Sequence, residues 1–127
     1  MEPETTMTLP YIDEYNKFIR DYKSGTVNGE EVGQVISRMA QYFSEYNLKL
    51  VLCEKKLFLV ARDIESRVDE NTGKAITSSK AVGVVNATEE HFEADMLKAH
   101  VANIEQFINA LKALQKGVLN EYSHSGL

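Results

Sequence analysis

From Val32 to Ile64 apolar residues recur in steps of four and three without a slip: Val32, Ile36, Met39, Phe43, Tyr46, Leu50, Cys53, Leu57, Val60 and Ile64. A 3.5-residue apolar period held this long predicts a helix that packs lengthwise on another helix in coiled-coil fashion. Its start is marked as well. Asn28 and Glu31 stand at the two positions of a capping box, and Val27 and Val32 at those of a hydrophobic staple. No proline or glycine interrupts the run after Gly33.

A partner for this helix lies further along the chain. Ala87, Ala94, Leu97, Val101, Ile104, Ile108, Leu111, Val118 and Tyr122 fall on the same 3.5-residue frame, with Glu90 and Gln115 as interruptions. Between the two runs, Asp69, Glu70, Asn71, Thr72, Gly73 and Lys74 make a polar turn. Thr77, Ser78 or Ser79 can cap the later helix, and Asn86 with Glu89 offers a second capping start. Val82, Gly83, Val84 and Val85 are poor helix formers, which leaves the conformation of 79–86 open.

Ahead of the long run, Tyr11, Ile12, Tyr15, Phe18, Ile19 and Tyr22 form one apolar face of a short helix. Thr8 is its expected cap, Pro10 suits its first turn, and Ser24-Gly25 ends it. Both prolines of the chain, Pro3 and Pro10, fall in its first ten residues.

These elements predict an all-α single domain built as a long antiparallel helical hairpin, with a short N-terminal helix packed at one end. The expected layout is a frayed tail at 1–8, helices at 9–24, 29–70 and 79–122, and a polar tip at 71–78. At 1.5 Å per residue the two arms reach roughly 63 and 66 Å, a match that favours folding back on each other. The first helix reaches only roughly 20–25 Å, so it covers one end as far as about Tyr46.

Composition narrows the function. With 127 residues, a formal charge of −5, 43% hydrophobic and 26% charged residues, the chain reads as an ordinary globular domain without a global positive field. One cysteine excludes an intrachain disulfide, and no apolar run approaches the ~20 residues that span a bilayer. No signal-peptide core follows the acidic start, so a cytoplasmic protein is expected, without membrane association.

No catalytic, cofactor-binding or metal site is expected. Glycine-rich phosphate loops are absent, and neither His91 nor His100 has a glutamate three residues before it. The cluster Glu89, Glu90, His91, Glu93 and Asp95 reads as the acidic first turn of a helix rather than a cation or basic-partner site. Cys53 sits in the apolar stripe, where a thiol acts as a small hydrophobe. Asn86-Ala87-Thr88 matches a glycosylation acceptor without the secretory context it needs. A modest basic strip is formed by Lys49, Lys55, Lys56, Lys98, Lys112 and Lys116.

The apolar content of the second helix exceeds what a hairpin needs. Between Leu48 and Ala61 ten of fourteen residues are apolar, which leaves Val51, Leu52, Phe58 and Leu59 off the shared stripe. The simplest cover is a second copy of the chain in a two-fold arrangement. The alternatives are the first helix lying across mid-hairpin, or residues 1–8 folding back.

A short leading helix, a long hairpin with a glycine-bearing tip, and a last helix reading Ile108-Asn109-Ala110-Leu111-Lys112, then Asn120-Glu121-Tyr122-Ser123, resemble small helical proteins encoded by bacteriophages. In size and layout the chain is similar to the T4-type recombination mediator family. That resemblance implies an oligomer that loads a recombinase onto single-stranded DNA, and it assigns no residue a role. The residues themselves favour a non-enzymatic, self-associating helical adaptor with an unidentified protein partner. An accessory role in nucleic-acid recombination or replication, with single-stranded DNA or its binding proteins as partners, is the alternative.

Overall fold

A computed structural model of the chain describes residues 9–125, and side chains from Leu9 to Val118. The fold is all-α: α1 (Pro10–Lys23), α2 (Gly29–Glu65), α3 (Ser78–Asn86) and α4 (Glu89–Ser125). α2 and α4 pack against each other as the arms of a helical hairpin. The chain divides into two compact units, Met1–Ser44 with Ala102–Leu127, and Glu45–Val101.

In the first unit three helices surround a dense core. The capping box forms as a reciprocal pair: the Asn28 side-chain oxygen accepts from the Glu31 N–H at 3.0 Å, and the Glu31 carboxylate accepts from the Asn28 N–H at 3.2 Å. α1 runs antiparallel to α2. Tyr11 meets the rings of Tyr42 and Phe107 at 6.2 and 5.9 Å, and Tyr15 stacks on Phe107 at 3.9 Å. Glu14 accepts from the Tyr42 hydroxyl at 3.1 Å and pairs with Arg38. Tyr11, Val32, Met39, Ile104 and Leu111 are fully buried. A Cβ added at Gly29 would come within 2.9 Å of Val118, so the start of α2 lies against the later part of α4. α1 ends where Gly25 takes φ +81° and its N–H reaches the Tyr22 carbonyl, a backbone that glycine adopts without strain.

The second unit holds the rest of α2, the tip, α3 and the first turns of α4. Tyr46 faces His100 with ring centroids 5.4 Å apart, Cys53 lies 3.6 Å from the Glu93 carboxylate, and Glu54 lies 3.9 Å from Lys98. These contacts fix the two arms as antiparallel. Its buried side chains are few and mostly small: Cys53, Ile64, Ala81 and Ala94. Leu50, Leu57, Val60, Leu97 and Val101 on the shared seam are only half-buried.

The tip corrects three expected boundaries. α2 ends at Glu65 rather than 70, because the Ile76 N–H bonds the Arg67 carbonyl and Val68 pairs with Ala75 in an antiparallel bridge. Both contacts demand extended backbone where the helix was expected to continue. The turn therefore spans 66–77 rather than 71–78. Asp69 organises it, accepting from the Asn71 N–H on its carboxylate and from the Gly73 N–H on its carbonyl, while Gly73 supplies φ +68°. The Lys80 ammonium, 2.9 Å away, holds the Asp69 carboxyl below the usual carboxylate range, with the Asn71 amide helping.

The expected helix over 79–122 is two helices. Thr77 caps α3 by accepting from the Lys80 N–H. The chain then breaks at Ala87-Thr88, where the Thr88 hydroxyl donates to the Val85 carbonyl at 2.7 Å and accepts from the His91 N–H at 3.1 Å. Thr88, rather than Asn86, starts α4. The first helix begins at Pro10 behind Leu9, which contributes no side-chain cap bond. The expected Thr8 cap lies outside the described residues, as does the tail at 1–8.

Candidate interaction surface

A helix turns about 100° per residue. On α2 this sends Leu50, Cys53, Leu57 and Val60 toward α4 and places a second set of residues on the opposite side. Val51, Leu52, Phe58 and Leu59 belong to that set and are 54%, 54%, 58% and 56% exposed. Leu48 extends the stripe and is equally bare. The Arg62 guanidinium lies over the Phe58 ring at 5.8 Å, so the far end of the stripe carries a charge on an aromatic face. α1 packs within the other unit through Tyr11, Glu14, Tyr15 and Phe18.

The basic residues do not share one face. Lys49 leans on the Tyr46 ring at 4.9 Å, and with Lys56 it edges a shallow groove also lined by Leu52, Cys53, Glu93 and Leu97. Lys55 stands in the middle of the exposed apolar stripe. Lys98 lies on α4, 3.9 Å from Glu54. Lys112 and Lys116 are exposed on α4 in the other unit.

The acidic first turns of α4 are spread around the helix. His91 Nδ1 lies 3.5 Å from Asp95, whereas Glu93 turns toward Cys53. Among the described residues no group of histidine, cysteine and carboxylate side chains is placed to hold a metal ion. Burial, with Glu93 adding to it, pushes the Cys53 thiol up from its ordinary value. Cys53 is a packed core group beside a carboxylate.

Further apolar side chains stand bare where none was singled out from the sequence: Phe92 and Met96 on α4, Val82 and Val84 on α3, and Val68 at the tip. Counting residues outward from the α4 seam finds Phe92 and Met96. The α3 valines carry no such signal, because their exposure depends on how a short helix seats beside the tip and the end of α2. No helix among the described residues is long and apolar enough to cross a membrane. No known protein family, curated protein or solved structure matches the chain.

Proposed function

We propose that this chain is a non-enzymatic helical interaction protein whose 45–101 unit receives further helices, first of all from a second copy of itself. One observation carries the reading. Every large apolar side chain left exposed among the described residues, from Leu48 to Met96, belongs to that unit, while the unit with α1 leaves none. Full burial of such side chains is worth about 1.5–3 kcal/mol each, and the unit that exposes them is also the one with the smaller core. Self-association uses Val51, Leu52, Phe58 and Leu59; the bare residues of α3, α4 and the tip serve a protein partner. We place the protein in the cytoplasm, and the layout of its helices supports a phage-encoded origin.

The test is a double variant, Leu52→Lys with Leu59→Lys. It is expected to sediment as a smaller species than the unaltered chain while keeping its helical circular dichroism. Equal sedimentation of the two proteins overturns self-association through this face.

A second reading, an accessory of nucleic-acid recombination, draws support from Lys49, Lys55 and Lys56 on one exposed stretch of α2. It requires a gel shift with single-stranded DNA that weakens steeply between 50 and 200 mM salt, as phosphate contacts do. Absence of any shift at low salt removes it.

A further inference from the structure

The exposed stripe of α2 is symmetric about Lys55. Four residues before it and four after stand Val51 and Leu59; three before and three after stand Leu52 and Phe58; seven before and seven after stand Leu48 and Arg62. At about 100° per residue all of these fall within about 60° either side of Lys55, directly opposite the seam with α4. A pattern that reads alike in both directions suits a two-fold axis perpendicular to the helix, which reverses the chain and maps a stripe onto itself.

We infer that two copies pair α2 on α2 in antiparallel fashion, with the two-fold axis passing between their Lys55 residues. This rests on the self-association proposed above and names its geometry. The axis keeps each flank of the helix against the same flank of its mate. Val51 then meets the partner's Phe58, and Leu52 meets the partner's Leu59, each contact occurring twice. At either end Arg62 comes level with the partner's Leu48, one turn from the partner's Glu45, an opposite charge. The seam to α4 is left intact, because it occupies the other side of the helix.

Lys55 is the one misfit in an apolar contact, and it sets the register. A register slipped by one heptad would place Lys55 against the partner's Leu48 or Arg62, and would leave Phe58 and Leu59, or Leu52 and Val51, facing a glutamate and a serine. The symmetric register brings the two ammonium groups together at the centre, where long stems let them lean toward water. A single lysine in an otherwise apolar helix contact fixes alignment at a cost in affinity. One helix-on-helix contact over two heptads is also at the small end of stable interfaces, so the dimer is expected to dissociate on dilution.

Two variants test the axis. Lys55→Cys places one thiol per copy on it, and gentle oxidation of the full chain is expected to give a covalent dimer in high yield, whereas Lys49→Cys, off the stripe, and the unaltered chain with buried Cys53 give little. Lys55→Met removes the central repulsion and is expected to tighten the dimer about tenfold or more in sedimentation equilibrium. If the unaltered chain associates but Lys55→Cys does not cross-link above the Lys49→Cys level, or Lys55→Met fails to tighten the dimer, the two-fold α2 pairing is wrong while self-association stands. If the unaltered chain is monomeric throughout, both readings fall.

Discussion

At the scale of single residues the structure separates groups that hold the fold from groups that sit on its surface. Tyr11 is fully buried against Tyr42 and Phe107. Tyr11→Ala should cost about 3–5 kcal/mol, read from urea unfolding, because an aromatic cavity of this kind collapses only partly. A midpoint within error of the parent would mean that α1 contributes nothing to the core. Cys53 makes the opposite kind of prediction. Cys53 is buried, and its raised thiol pKa adds to that by leaving less thiolate in the folded chain, so a thiol reagent should label the native protein at least about tenfold more slowly than the urea-unfolded protein. Equal rates would show an open thiol.

Asp69 titrates with a sign set by Lys80. Its folded value lies below the unfolded value of about 3.9, so its contribution is fully present above that pH and is lost as pH falls through the folded value. Lowering the pH below about 4, or making Asp69→Ala at neutral pH, should speed amide hydrogen exchange at Gly73 and Ile76 while leaving 32–43 protected. Unchanged exchange at the tip would show that Asp69 does not hold the turn.

At the scale of elements, what could be read from the sequence follows from how local the signal was. The 3.5-residue period of α2 and the Asn28–Glu31 box are local patterns, and the helix and its cap form where the pattern places them. The C-terminal boundary was misplaced because Val68 reads as one more apolar residue, whereas its conformation is set by pairing with Ala75 across a turn. The break between α3 and α4 was visible only as a choice of caps. Thr88 prevails because its hydroxyl serves both sides, donating back to Val85 and accepting from His91. The outward apolar stripe was legible by counting faces. The contrast between the two units was not, since it depends on where α1 packs. That contrast has a measurable consequence. Leu111 is fully buried and Leu57 half-buried, so Leu111→Ala should cost about 3 kcal/mol and Leu57→Ala about 1. Equal costs would mean that the 45–101 unit is as well packed as the other.

At the scale of the molecule, the division of labour is between a unit that closes its own core and one that does not. Among the described residues the unit with α1 leaves no large apolar side chain exposed, and the 45–101 unit exposes Leu48, Val51, Leu52, Phe58, Leu59, Phe92 and Met96. Under the proposed function such a surface is a recognition surface, because water is the least favourable neighbour it can have. The charged flanks, Lys49 and Lys56 on α2 and Glu89, Glu93 and Asp95 on α4, keep that surface from being indiscriminately adhesive.

The most direct test of this account is the mass of the unaltered chain in solution, followed by sedimentation velocity from low to high micromolar concentration. The account predicts a reversible shift from the 14.3 kDa chain toward twice that mass as concentration rises. A single species of the chain mass across the whole range would contradict it.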